Sequence, residues 1–410
     1  MIQQIQKISD AILSKMRLTS NCHRQFLVAL FGAWFIVQGR HNIRNLSRYS
    51  TYSESMISRR MDQEVDFGGF HQQTVELVLD PERRSDWIMG GDCSFIPKSG
   101  KATYGKALFW NGSADKQQSG LEISGFALIN PETKEAYMVD VWQTPGDLSS
   151  REGECGEYTR IDFYLDHLRR AYRRYYWIRY VALDGYYAKI KTLDYFDGQE
   201  GLFVISKLRK DANLKFYLDR ESKPEAHGNQ TYDGKFDHKN PMSQKQQWIY
   251  EGVLEDEPEV EIYRAHLYSP HFKRKLNVTL CWHAEQKRHI LLFSDDLDLS
   301  GIKMAGYYKS RFQIEFLFRD AKQHSGLNEA QVRDQQKLDF HFNFSFAAVN
   351  LGRVVAGQNQ REDYTFNNTK RLGYNQIILN KFIANLELDP KLPKVRDAFE
   401  KTAEFGLMRA

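Results

Sequence analysis

Four cysteines in 410 residues, Cys22, Cys93, Cys155 and Cys281, are too few and too scattered to build a disulfide framework. None belongs to a C-x2-C pair, which argues against a structural zinc site and leaves a reducing, cytoplasmic compartment as the expectation. Long apolar runs are missing as well. The longest candidate, residues 26 to 38, falls short of the roughly 18–20 residues that a membrane span requires and reads as a buried helix. Behind Met1 lies a polar stretch of mixed charge rather than a signal peptide, so a soluble chain with no membrane partner is expected. An excess of one charge is lacking too: 57 basic residues stand against 53 acidic ones, a net of +4. Bulk charge therefore does not mark a nucleic-acid partner, and only its distribution can. Neither an internal repeat nor a low-complexity tract interrupts the chain. With 41% hydrophobic residues it is an ordinary globular composition, long enough for two or three domains.

Residues 1–80 carry apolar side chains at helical spacing with few turn signals. Within them, Asn42 to Tyr49 and Ser53 to Met61 read as two short amphipathic helices across a polar break, the second opening on a serine cap. That pattern suits a helix-turn-helix whose Arg59 and Arg60 meet DNA, and suits an ordinary helical hairpin too. Arg40, Arg44 and Arg48 crowd the same stretch. Arg169, Arg170, Arg173, Arg174 and Arg179 form a second cluster, interleaved with Tyr172, Tyr175, Tyr176 and Trp177. Either cluster reads as a phosphate-binding face or as a solvated helix face.

From Trp87 the period shortens to that of strands. Strands are expected from Trp87 to Ile96, Gly125 to Ile129 and Ala136 to Trp142. A helix from about Thr159 to Tyr175 follows, then a strand from Ile178 to Leu183. A short helix from Ala188 to Phe196 and a strand from Leu202 to Ser206 complete the run. The order β-β-β-α-β-α-β is that of a ribonuclease-H-like core, an antiparallel run followed by α/β crossovers. Residues 208–300 turn polar, with Asp211, Pro224, Gly228, Gly234 and Pro241, and then alternate over Val260 to Tyr268, Leu276 to Trp282 and His289 to Phe293. They are too long for a loop and read as a β-rich insertion. Helical spacing resumes near Lys303, breaks past Gly326 and runs on towards the C-terminus. The fold class expected is thus α/β: a DNA-binding helical region at 1–80, a catalytic domain at 85–330 and a helical region at 331–410.

Three carboxylates stand out against this frame. Asp92 and Asp184 each close a short apolar run, as side chains held at strand ends do. Glu315 lies in the text Y-x2-R-x3-E-x6-K, formed by Tyr308, Arg311, Glu315 and Lys322. On one helix, Arg311 and Glu315 share a face, with Tyr308 a turn before and Lys322 two turns beyond. Carboxylates brought to one point suit a pair of divalent ions, and the flanking cations suit phosphates beside the reacting bond. Lys98 and Lys101 follow Asp92 and could meet phosphate or solvate a turn. His341 reads as a packed histidine.

The same four-residue text resembles the mark of DDE transposases of the IS-four insertion-sequence group, which includes the Tn-five transposase. Gly91 to Gly100 resembles that family's first-aspartate segment, Ala182 to Tyr187 its second, and Leu291 to Asp296 the strand before its last helix. The likeness covers about residues 85–350. It implies that Asp92, Asp184 and Glu315 bind two Mg²⁺ ions, with Mn²⁺ as a substitute, and that Tyr308, Arg311 and Lys322 hold the DNA backbone. It implies an enzyme that binds the terminal inverted repeats of its element in double-stranded DNA, cuts them and joins the 3′-hydroxyls to target DNA. A homodimer on DNA is the form such chemistry implies, in the cytoplasm and on the nucleoid. It also implies an aromatic in the insertion that captures a flipped base, for which Trp248 and Trp282 are the candidates, although a tryptophan in a β-rich region is more often core. The likeness places Asp295 and Asp296 outside the site. Two other readings fit the chain: a transposase-derived DNA-binding protein that no longer cuts, and a structure-specific nuclease of the same fold. Loss of residues 1–80 is expected to abolish end recognition and leave a soluble catalytic core.

Overall fold

The computed structural model of the chain describes residues 1–17, 20–148, 157–218, 229–359 and 365–408. Cys155, Pro224 and Gly228 lie outside them. Cys22, Cys93 and Cys281 are free thiols.

Five helices open the chain: α1 (Ile2–Ser14), α2 (Asn21–Ile36), α3 (Ile43–Ser47), α4 (Glu54–Arg60) and α5 (Phe67–Val75). Their starts are chemically specified. The side chains of Ser20, Asn42, Ser53 and Asp66 accept hydrogen bonds from backbone N–H groups three residues on, satisfying donors that the first helical turn leaves open. Helices α3 and α4 bury Leu46 and Ile57 and leave Arg40, Arg44, Arg48 and Arg59 exposed.

The strands are β1 (Ile88–Pro97), β2 (Ala107–Asn111), β3 (Lys116–Ile129), β4 (Ala136–Gln143), β5 (Tyr180–Leu183) and β6 (Phe203–Lys207). Helix α6 (Arg160–Tyr172) links β4 to β5, and α7 (Ile190–Asp197) links β5 to β6. Then come β7 (Lys215–Tyr217), β8 (Tyr232–Lys235), β9 (Ile249–Leu254), β10 (Glu257–Ser269), β11 (Arg274–His283) and β12 (Arg288–Ser294). Helices α8 (Gly301–Ser310), α9 (Gln313–His324), α10 (Gln335–Gln358), α11 (Phe366–Asn385) and α12 (Pro393–Ala403) complete the chain. No helix among the described residues is long and apolar enough to cross a membrane.

The twelve strands of the described residues belong to one mixed sheet, ordered β2-β3-β1-β5-β6-β12-β11-β10-β7-β8, with β4 on β3 and β9 on β10. Strands β1, β3 and β4 are antiparallel neighbours, whereas β5 runs parallel to β1 and β6 parallel to β5. The polar, turn-rich stretch after β6 therefore does not fold apart. Its strand β12 pairs antiparallel with β6, and β11 and β10 extend the same sheet.

Alternation along the strands divides two cores. On one face Ile88, Ile96, Leu121, Ile123, Ala127 and Ile129 meet α9, α10 and the first helices. On the other, Met89, Phe126, Leu128 and Val181 pack with Ile161, Leu165 and Leu168 of α6 and Leu193 of α7. Helix α10 is buried nearly all round, as a central helix must be. Its Phe344 stacks on Phe31 of α2 at 4.1 Å between ring centroids and lies 4.8 Å from Trp34, whose indole N–H donates to Ser325. Phe344→Ala is expected to lower stability by about 3–5 kcal/mol, read as a shift of the denaturant midpoint at unchanged slope.

This packing corrects one expectation. Residues 1–80 share a continuous hydrophobic core with α9, α10 and the sheet, so removing them would strip that core of one side rather than release an intact one. The reason is area: α1 and α2 pack on each other and, with α5, α10 and α11, close one apolar core that neither could cover alone.

Candidate active site

Strand β1 meets β5 in parallel register, Gly91 opposite Leu183, so Asp92, mid-strand in β1 where its pairing with β5 ends, stands beside Asp184 at the carboxyl end of β5. Asp184 ends its strand by turning, its carboxylate accepting from the Tyr186 N–H at 2.9 Å while its carbonyl accepts from Ser206 Oγ at 2.8 Å. Helix α9 crosses the sheet face above them, seating Ile314, Leu317, Phe318 and Ala321 in the core and presenting Glu315 and Lys322 to a cleft. Glycines in the sheet permit the approach. A Cβ on Gly125 would stand 3.1 Å from Phe318, and one on Gly90 would stand 2.5 Å from Ile129.

The expected single helix through Tyr308, Arg311, Glu315 and Lys322 is broken. Helix α8 ends at Ser310 and α9 begins at Gln313. Phe312, Ile314 and Glu315 donate to carbonyls three residues back, a tight turn with no proline or glycine to announce it. Arg311 stands at this turn and still reaches Glu315, its Nη2 3.5 Å from Oε1, while its Nη1 donates to Asp92 Oδ2 at 2.8 Å.

Asp92, Asp184, Glu315 and Lys322 line one cleft of about 810 Å³, together with Glu122, Arg160, Arg319 and Trp110. Tyr308 and Arg311 line a second groove of about 780 Å³ behind the turn, whose rim carries Lys134, Lys207, Lys210 and Arg288. The sequence-derived residues are thus brought together around one turn of chain and face two grooves.

Charge is concentrated here. Burial, and then the charge of Asp92, holds the Asp184 carboxyl above its ordinary range. Burial likewise raises Glu315; Arg311 opposes the rise, and Asp92 adds to it. Burial works against the Arg311 charge, but Asp92, Tyr308, Asp184 and Glu315 together outweigh it and the guanidinium is held more firmly protonated than usual. The Lys322 ammonium is half-buried, and desolvation lowers its pKa. Among the described residues no three His, Cys, Asp or Glu side chains converge as a ready-made metal site. The donor set nevertheless fits hard divalent cations: three carboxylates on one cleft, oxygen donors only, carrying more negative charge than one guanidinium neutralises.

Other expected residues fall elsewhere. Trp248 is buried between Phe216 and Phe236, with ring centroids at 5.6 and 5.8 Å, and belongs to the core. Trp282 is half-buried on β11, and neither tryptophan lines the two grooves. Lys98 donates to the Ala330 carbonyl, whereas Lys101 is exposed. His341 is packed, bonded to the Gly326 carbonyl at 2.7 Å and pushed down by burial to about 4. Asp295 accepts from the Val204 N–H at 2.9 Å, and Asp296 accepts from the Tyr180 hydroxyl at 2.7 Å; both serve the fold. In the second arginine cluster Arg169, Arg170, Arg174 and Arg179 pair with Asp166, Asp140, Asp66 and Asp296, which makes it a structural one. Arg59 is exposed, and Arg60 donates to Gln63 at 3.1 Å; both stand on α4, away from the carboxylate cleft.

Glu122, Arg160 and Trp110 are among the cleft residues that escaped the sequence reading. Glu122 is buried on β3 and accepts from Tyr164 at 2.6 Å. Arg160 opens α6, and Trp110 stands on β2. Alternation along β3 could have aimed Glu122 at α6, but only the sheet order places all three beside Asp92.

Comparison with known proteins bears on the chain as a whole. The family model described as the transposase DDE domain matches residues 96–351, a span that holds Asp184, Tyr308, Arg311, Glu315 and Lys322 and begins four residues after Asp92. No curated protein matched the chain. A cryo-EM structure of the piggyBac transposase synaptic complex with hairpin DNA aligns with 98% of this chain and 82% of that one, at 11% identity and a TM-score of 0.41, too slight a likeness to establish a common fold. Because the family model spans well over half of the sequence, the chain belongs to the transposase DDE domain family.

Proposed function

We propose that this chain is a DNA transposase that binds the ends of its insertion sequence, cleaves them by metal-dependent phosphoryl transfer and joins the 3′-hydroxyls to target DNA. The observation that carries the reading is the meeting of Asp92, Asp184, Glu315 and Lys322 on one cleft from three separate elements. We place the chain with the IS-four, Tn-five-like transposases on the text of its α8–α9 turn, and read the sheet β3-β1-β5-β6 with α6 and α7 as the ribonuclease-H-like core. Residues 1–80 are the DNA-binding region, 85–330 the catalytic domain with its β-rich insertion at about 208–300, and 331–410 the C-terminal helical region.

Asp92, Asp184 and Glu315 would hold two Mg²⁺ ions, or Mn²⁺ in their place. When bound, such a pair activates the attacking oxygen and stabilises the leaving one. The rest falls to the protein. Asp92 and Asp184 are fixed by strand register and by the N–H of Cys93 and of Tyr186, and so orient without reorganising. Arg311 screens the carboxylates from one another and, with Tyr308 in the adjoining groove, grips backbone phosphate. Lys322 supplies a cation two turns beyond Glu315 for a phosphate on the other side of the reacting bond. Arg59 and Arg60 extend the contact to the terminal repeat. Two ends must be held at once, which makes a homodimer on DNA the active form.

Binding tests this directly. Lys322→Ala is expected to weaken binding to a duplex carrying the element end across all sequences. The plot of log affinity against log salt should become shallower by about 1, as one phosphate contact is lost. An unchanged slope would remove Lys322 from the DNA interface.

A further inference from the structure

The wall of the cleft facing α9 comes from the β2–β3 hairpin, and it carries a tryptophan that the chemistry above does not use. Trp110 is 54% exposed although it lines the carboxylate cleft, and Leu108, two residues earlier on the same strand face, is 61% exposed. Two large apolar side chains left in water beside a charged cleft carry a solvation cost that nothing in the fold offsets. Their mount is firm. Strand β2 pairs with β3 from Ala107–Gly120 to Asn111–Lys116, and β3 continues from Gly120 to Ile129 paired with β1. Between the two exposed residues Phe109 is buried, with the Arg160 guanidinium over its ring at 4.9 Å, which ties the hairpin to the start of α6. At the tip, Asn111 folds the turn by accepting from Ser113 N–H at 3.1 Å and donating to Gln118 at 2.7 Å.

The cations of this cleft match one class of partner. Arg160, Arg319 and Lys322 line it with no carboxylate within 4.0 Å among the described residues. Unpaired cations for phosphate together with an exposed aromatic face for a base are the two requirements of single-stranded nucleic acid. A fully paired duplex offers the phosphates and hides the base faces. We propose that Trp110 stacks on an unpaired base of the DNA strand lying in the cleft, so that the β2–β3 hairpin selects frayed or single-stranded DNA at the carboxylates over intact duplex. This rests on the transposase reading above. It makes Trp110 a positioning residue: it grips a nucleotide next to the reacting phosphate and transfers nothing itself.

The test uses the full chain in chelator, so that no cleavage intervenes, and two labelled probes: a short duplex of arbitrary sequence, and the same duplex with a single-stranded tail. Stacking tolerates any base, so the element's own ends are not needed. Wild-type protein is expected to prefer the tailed probe. Trp110→Ala should lose that preference by on the order of tenfold while binding the duplex as before, and Trp110→Tyr should retain it. Aminopurine placed in the tail should be quenched by wild-type protein and not by Trp110→Ala. Should Trp110→Ala fail to fold, the tyrosine variant and the wild-type quenching decide the matter. The proposal is overturned if Trp110→Ala keeps the preference, if it weakens both probes alike, or if wild-type protein leaves the aminopurine unquenched. Wild-type protein that binds neither probe would overturn the transposase reading itself, an outcome distinct from all of these.

Discussion

Glu315→Gln is expected to abolish DNA cleavage while leaving the protein folded and bound to its DNA. The substitution keeps the size and hydrogen-bonding capacity of the side chain and removes one negative charge from a cleft shared with Asp92 and Asp184. Glu315 is half-exposed and contributes no apolar contact to the core, so thermal unfolding should move little. Cleavage should fall by on the order of a thousandfold or more, equivalent to about 4 kcal/mol of transition-state stabilisation. DNA affinity should hold or rise slightly, because a carboxylate beside the phosphates is gone. Normal cutting by Glu315→Gln would make α9 a structural helix only.

The second large effect concerns Arg311 and has two opposed parts. Its guanidinium bonds Asp92 at 2.8 Å and approaches Glu315 at 3.5 Å in a largely buried position, so it competes with any cation for those carboxylates. Arg311→Ala is therefore expected to tighten Mn²⁺ binding in the absence of DNA, on the order of tenfold. At the same time cleavage should drop by on the order of a hundredfold, because the group that grips phosphate and separates the carboxylates is lost. Calorimetric titration of Mn²⁺ into the DNA-free variant separates the two parts. Unchanged metal affinity would mean that Arg311 does not share the carboxylates with metal. Arg311→Lys should recover little, since one ammonium cannot bridge two carboxylates as a planar fork does.

How far the sequence foretold this site depends on the range of each signal. Asp92 and Asp184 were legible because a carboxylate closing an apolar run is a local pattern, and parallel pairing of β1 with β5 then sets them side by side. The grouping around Glu315 was legible from spacing, and the contact between Arg311 and Glu315 survives even though the helix beneath them breaks. The break itself left no mark, since a run of i−3 bonds over Phe312 to Glu315 needs no special residue. Strands β2, β7, β8 and β9 went unread for related reasons: β7 and β8 are three and four residues long, and β9 holds Gly252 at φ +119 where a strand would carry a side chain. Trp110 and Arg160 were invisible because their role depends on which strand stands next to which, and only the sheet order supplies that. The tryptophans that the family resemblance offered, Trp248 and Trp282, are a core residue and a half-buried one, the commoner fate of that side chain in a sheet.

The separability of the first 80 residues shows the opposite failure. Local periodicity gave the helices correctly but could not say what they cover. Phe26, Phe31, Trp34 and Phe35 are fully buried, and the faces they present close over α10, which packs in turn on β4. A region that shares a core with α9 and α10 is mechanically coupled to them, which a tethered domain would not be.

The measurement that bears most directly on the whole account is strand cleavage of DNA containing the sequences that flank this gene, compared across metal conditions with one preparation. Cleavage in Mg²⁺ and in Mn²⁺, little in Ca²⁺, whose larger and looser coordination suits the site badly, and none in excess chelator is the predicted result. Robust cutting in chelator, or no cutting under any metal by a protein that binds those ends, would contradict it.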